Sequence, residues 1–158
     1  MADRNIWLWR ATKGNQNIED WDISKQYEPC YLGVKFDKLQ HICDATSLEE
    51  LTSRYEVETS KSSIAQAAWC MQEAKKDDML IVFIEEDSSL YAIAYAFVAE
   101  TLFYDETVEF PNVIELKNIV ELSERLRFSL PNVGIPKSFM KKLFGSDAKN
   151  ILSLLNIE

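Results

Sequence analysis

Six consecutive apolar residues, Met79 to Ile84, constrain this chain more than any other stretch. A run so short and without alternation suits a strand buried on both faces, and such a strand needs cover on each side. Ahead of it, Ser60, Ser62 and Ser63 offer helix-capping hydroxyls, and Ile64, Ala67, Ala68, Met71 and Ala74 recur at helical spacing as one core face. The charged turn Lys75-Lys76-Asp77-Asp78 joins that helix to the strand. Trp69 falls outside the apolar stripe, among Gln66, Gln72, Glu73 and Lys76, so it either packs on a second partner or lines a site. Beyond the run, Glu85-Glu86-Asp87 reads as the solvated tip of a hairpin. The returning segment carries Leu90, Ala92, Ala94, Ala96 and Val98 on one parity and Tyr91, Ile93, Tyr95 and Phe97 on the other. This predicts a strand whose alanine side admits a helix and whose bulky side fills a barrel.

The rest of the chain supplies further strands. Ile6 to Ala11 reads as a first strand with Trp7 and Trp9 on one side, and Cys30 to Phe36 as a second, with Gly33 marking a bulge or close approach. Between them the turn-rich stretch Thr12 to Pro29 carries Trp21, either a lid over the core or part of a recognition surface. Asp44 to Tyr55 holds a short helix with a capping box, Thr46 or Ser47 with Glu49 or Glu50. Thr101 to Phe110 continues from the Leu90 strand. Val113 to Leu122 alternates with Ile114, Leu116, Val120 and Leu122 inward and Glu115, Lys117 and Glu121 outward. Two short helices, Lys137 to Phe144 and Ser146 to Leu155, are expected after the Pro-rich connector, with Gly145 between them. The expected fold is α+β: a curved mixed sheet or small open β-barrel, with helices inserted between strands and a helical C-terminal tail. Residues 1–128 are assigned to that domain and 129–158 to a helical extension packed on it.

A length of 158 residues with 47% hydrophobic content supports one domain with a substantial core. No run of about 18 apolar residues is present, and the N-terminal residues lack a clean apolar block, which implies a cytoplasmic protein with no membrane partner. Cys30, Cys43 and Cys70 form neither a CxxC nor a zinc ligand set and read as reduced, mostly buried thiols. The net charge of −9 argues against indiscriminate nucleic-acid binding. The charge is uneven, however. Residues 1–17 and 130–158 each carry a net +2, the latter through Lys137, Lys141, Lys142 and Lys149, so the middle holds −13. If the ends meet, an acidic protein gains a local basic surface.

Chemistry is sparse. Four glycines, at 14, 33, 134 and 145, make no phosphate loop, and His41, the only histidine, stands without a nucleophile motif. No metal ligand set or cofactor motif is present, and catalysis is not supported.

The order of parts resembles the PUA-like superfamily, and within it the EVE and YTH domains that read nucleic acids. The resemblance rests on the Trp7 and Trp9 strand, the aromatic loop with Trp21, the helix and turn SSIAQAAWCMQEAKKDDMLIVFI, and the strand LYAIAYAFVAETLFYDE with its tyrosine-acid pair, over roughly residues 5–122. The turn departs from the family pattern, with Asp77 where a glycine is usual. The resemblance implies a non-enzymatic reader that holds a flipped, modified base in an aromatic pocket. Each stacked base contributes about 1–3 kcal/mol against an extrusion cost of a few kcal/mol. Carried onto this chain, it implies base contacts from Trp21, Ser60, Ser62, Trp69, Tyr104 and Asp105, with Trp9 completing a wall. Lys13, Lys137, Lys141 and Lys142 would meet phosphates. Core packing is the competing reading for the aromatics, foremost for Trp7 and Trp9, and helix capping is the competing reading for the serines. The expected partner is nucleic acid with a modified base, methylated DNA favoured over RNA, and a fused or separate effector, as in modification-dependent restriction or defence. A rival from another class is a small acidic protein-binding module, such as an immunity protein or nucleic-acid mimic. Its working face would gather Glu85, Glu86, Asp87, Glu100, Asp105, Glu106 and Glu109.

Overall fold

A computed structural model describes residues 4–10, 30–34, 42–54, 68–107, 112–131 and 140–157. The strands are β1 (Ile6–Arg10), β2 (Cys30–Val34), β3 (Met79–Glu86), β4 (Ser89–Tyr104), β5 (Asn112–Phe128) and β6 (Met140–Leu143). The helices are α1 (Leu48–Arg54), preceded by the 3-10 turn Ile42–Asp44, then α2, described over residues 68–73, and α3 (Gly145–Leu154). The described strands form one open mixed sheet in the order β2-β5-β4-β3-β1-β6. Only β1 and β3 run parallel; the other neighbours are antiparallel. The α+β expectation with an open sheet therefore holds.

β3 lies at the centre, and Met79 through Phe83 are buried on both faces, as their unbroken apolar run requires. One face packs Trp7, Trp9, Leu80, Val82, Ala94, Ala96 and Val98 under Ala45 and the α2 residues Ala68 and Met71. The other packs Ile6, Leu8, Met79, Ile81, Phe83, Leu90 and Ala92 under Ile151 of α3. The small side chains of Ala94 and Ala96 let α2 lie close, as the alternation predicts.

The single parity read from Leu90 to Val98 does not survive. Val82 pairs with Ala94 but Phe83 pairs with Ala92, so Ile93 is an extra residue that turns the strand over. Leu90 and Ala92 consequently face α3, while Ala94, Ala96 and Val98 face α2. Tyr95 and Phe97 do not fill a barrel; they stand half-buried at the margin of the α3 face, in an edge-to-face pair with centroids 6.3 Å apart. A second irregularity, with Asn118 at φ 50°, falls between the pairs Phe97–Lys117 and Tyr95–Val120. It leaves Val120, expected inward, 39% exposed.

The expected helix Lys137 to Phe144 is replaced over Met140–Leu143 by the edge strand β6. Met140 enters the α2-side core and Leu143 the α3-side core, a three-residue separation that a strand sends to opposite faces. The tail is thus part of the sheet and not a wholly helical extension. Gly145, at φ 53°, turns the chain from β6 into α3. The α1 capping box forms as read: Ser47 Oγ accepts from the Glu50 N–H at 3.1 Å, and the Glu50 carboxylate accepts from the Thr46 N–H at 3.0 Å.

Candidate nucleic-acid interface

The turn of residues 75–78 fixes α2 against the start of β3. Asp77 there has φ 73°, the left-handed conformation that explains why glycine would suit the position. Its N–H donates to the Val98 carbonyl at 2.9 Å, and the Val98 N–H donates back to the Asp78 carbonyl at 2.9 Å. The buried Asp78 carboxylate then collects four donors: the Asn5 N–H at 3.2 Å, the Asn5 amide at 3.3 Å, the Trp7 indole at 3.0 Å and the Lys75 N–H at 2.9 Å. Helix, turn, β1 and β3 are locked at one point.

With Ala68, Met71 and Ala74 turned into the core, α2 has two flanks. Gln72 marks one flank, where its Nε2 donates to the carbonyls of Cys43 at 3.0 Å and Ala45 at 2.8 Å. Trp69, three residues earlier, shares that flank, partly buried against the core and partly open. Cys70 marks the other flank, against β6, where the Lys142 backbone N–H donates to it. Burial, and then the nearby Glu73 carboxylate, push the Cys70 thiol up to about 11; Lys141 and Lys142 pull the other way. Both positive charges therefore act on the Cys70 side of α2. The Lys142 ammonium sits 5.7 Å from the Trp7 ring centroid and 5.2 Å from that of Phe144, whose ring is 65% exposed. Phe144 was not singled out from sequence, because a helical reading of residues 137–144 gave it no distinctive place.

Other residues named from sequence sit elsewhere. Trp9 is fully enclosed among core residues, so its ring has no surface to offer a ligand. Tyr104 and Asp105 lie past the last β3–β4 pair, Met79–Phe97, where β4 runs on with β5 alone. Asp105 closes its own turn, accepting from the Thr107 N–H at 3.0 Å and hydroxyl at 2.6 Å. Trp21, Ser60, Ser62, Lys13 and Lys137 lie outside the described residues, as do His41 and Glu109.

The acidic residues do not gather into one face. Glu85, Glu86 and Asp87 cap one end of the β3–β4 hairpin, while Glu100, Asp105 and Glu106 follow about 35 Å or more along β4. Arg10 holds Glu85 at 2.9 Å, and Arg125, stacked 4.2 Å from the Tyr91 centroid, grips both oxygens of Glu86 at 2.7 and 3.1 Å.

Among the described residues, no cluster of three or more His, Cys, Asp or Glu is placed to hold a metal ion, and no helix is long and apolar enough to cross a membrane. No family model and no curated protein matches the chain. Among solved structures, it is similar to the crystal structure of protein Atu2648 from Agrobacterium tumefaciens, at 11% identity and a TM-score of 0.45, over 96% of this chain and 91% of that one.

Proposed function

We propose that the chain is a non-enzymatic nucleic-acid reader of the PUA-like, EVE type, which holds a modified base, methylated DNA favoured over RNA, against an aromatic wall. The observation that supports this reading best is the neighbourhood of α2: Trp69 on one flank, and Lys141, Lys142 and the exposed Phe144 ring on the other. Cations beside half-open aromatics supply the two ingredients such binding needs, phosphate neutralisation and base stacking. The scattering and pairing of the carboxylates favour it over an acidic protein-binding module. In this reading Trp69 forms the described wall, Trp21 and the hydroxyls of Ser60 and Ser62 complete it, and an effector, fused or separate, acts on the marked nucleic acid.

The test is a tryptophan-fluorescence titration with short duplexes and single strands, unmodified and methylated, across a range of salt. Modification-dependent quenching is expected, weakened in Trp69→Ala. Lys141→Gln and Lys142→Gln should each lower the slope of log K against log salt by about 1. Flat titrations with every oligonucleotide, from a folded protein, would overturn the reading in favour of a protein partner.

A further inference from the structure

We propose that Gln72 is the positioning residue for Trp69, an inference that rests on reading Trp69 as the wall of a base site. The segment around Ala45 packs into the α2-side core, and its carbonyls need donors there. The Gln72 amide is the group that supplies them. Its single NH2 reaches the carbonyls of Cys43 and Ala45 at 3.0 and 2.8 Å, bridging 29 and 27 positions of sequence. Trp69 and Gln72 stand about 60° apart around the helix axis, one turn apart on one flank. The indole has no place in the apolar stripe of α2, so the stripe alone does not fix it. The Gln72 bridge does, by holding that flank of α2 against residues 43–45, which continue into the capped start of α1. A wall that is set before the base arrives loses less on binding than one ordered by it.

Three substitutions separate positioning from bulk stability. Gln72→Glu keeps the shape but turns a carboxylate toward two carbonyls; Gln72→Arg keeps N–H donors at the site; Ser47→Ala removes the α1 cap and leaves the bridge intact. The Trp69 resonance is followed by fluorine NMR of protein containing 5-fluorotryptophan, assigned with Trp69→Phe, beside titration with the methylated duplex. The expected result is a shifted or broadened Trp69 resonance and about tenfold weaker binding in Gln72→Glu, both restored in Gln72→Arg. Ser47→Ala should lower stability while leaving the resonance in place. An unmoved resonance in Gln72→Glu overturns the inference whatever the titration shows. A moved resonance in a protein whose wild type binds no oligonucleotide keeps the positioning role and overturns the reader function.

Discussion

The Trp7 indole N–H donates to Asp78 Oδ2 at 3.0 Å, joining β1 to the turn ahead of β3 across 71 positions of sequence. The same carboxylate accepts from Asn5 and from the Lys75 backbone, so one side chain satisfies donors from two chain segments. Asp78→Ala strands these donors in a buried site and is expected to cost about 3 kcal/mol or more. Asp78→Asn, which can still accept through one oxygen, should cost about half as much. Urea unfolding at constant m-value checks both.

Lys117 donates to Asp77, and that bond, with the nearby positive charges, holds the Asp77 carboxyl below the ordinary aspartate range. Arg125 lowers Glu86 by its side-chain hydrogen bonds in the same way. A depressed folded-state pKa means that the contribution is complete above the unfolded carboxylate range and is lost as pH falls through the folded value. NMR titration should find both groups ionised below the usual range, Asp77 returning to it in Lys117→Ala and Glu86 in Arg125→Ala. Because both pairs are exposed, added salt should shrink the shifts.

With its thiol near 11, Cys70 holds only about one part in a thousand as thiolate at pH 8. In a Cys30→Ser, Cys43→Ser background, labelling by a disulfide reagent should be slow at pH 8. Its rate should climb about tenfold per pH unit up to about pH 10. Glu73→Gln removes the nearest charge that raises the thiol and should move the profile to lower pH.

The β3–β4 connection puts Asp87 and Ser88 at φ 52° and 64°, where a two-residue hairpin needs left-handed backbone at both positions. Ser88→Gly should relieve about 1 kcal/mol and raise the thermal midpoint by about 2–4 °C. Gly145 tests the reverse: at φ 53° a Cβ would meet nothing within 4 Å, so Gly145→Ala should cost about 1 kcal/mol through the backbone alone.

How far the sequence carries depends on whether a feature is local. The β3 run, the alternation that makes β4, the charged hairpin tip and the Ser47–Glu50 capping box all form from residues close in the chain, and each was legible there. Trp69 was legible as a misfit on α2. Which partner lay on its flank was not, since Cys43 and Ala45 reach Gln72 from 29 and 27 positions away.

The sequence by itself determined an α+β chain around a doubly buried strand, because an unbroken apolar run and its alternating neighbour leave few other ways to bury their surface. Only the tertiary structure decided that Ile93 turns β4 over and that Met140–Leu143 is an edge strand. The physical reason is common to both. Phe139, Met140, Leu143 and Phe144 fit a helical stripe as well as an edge strand, and a bulge leaves no mark in local periodicity, so the choice falls to the strand that pairs alongside.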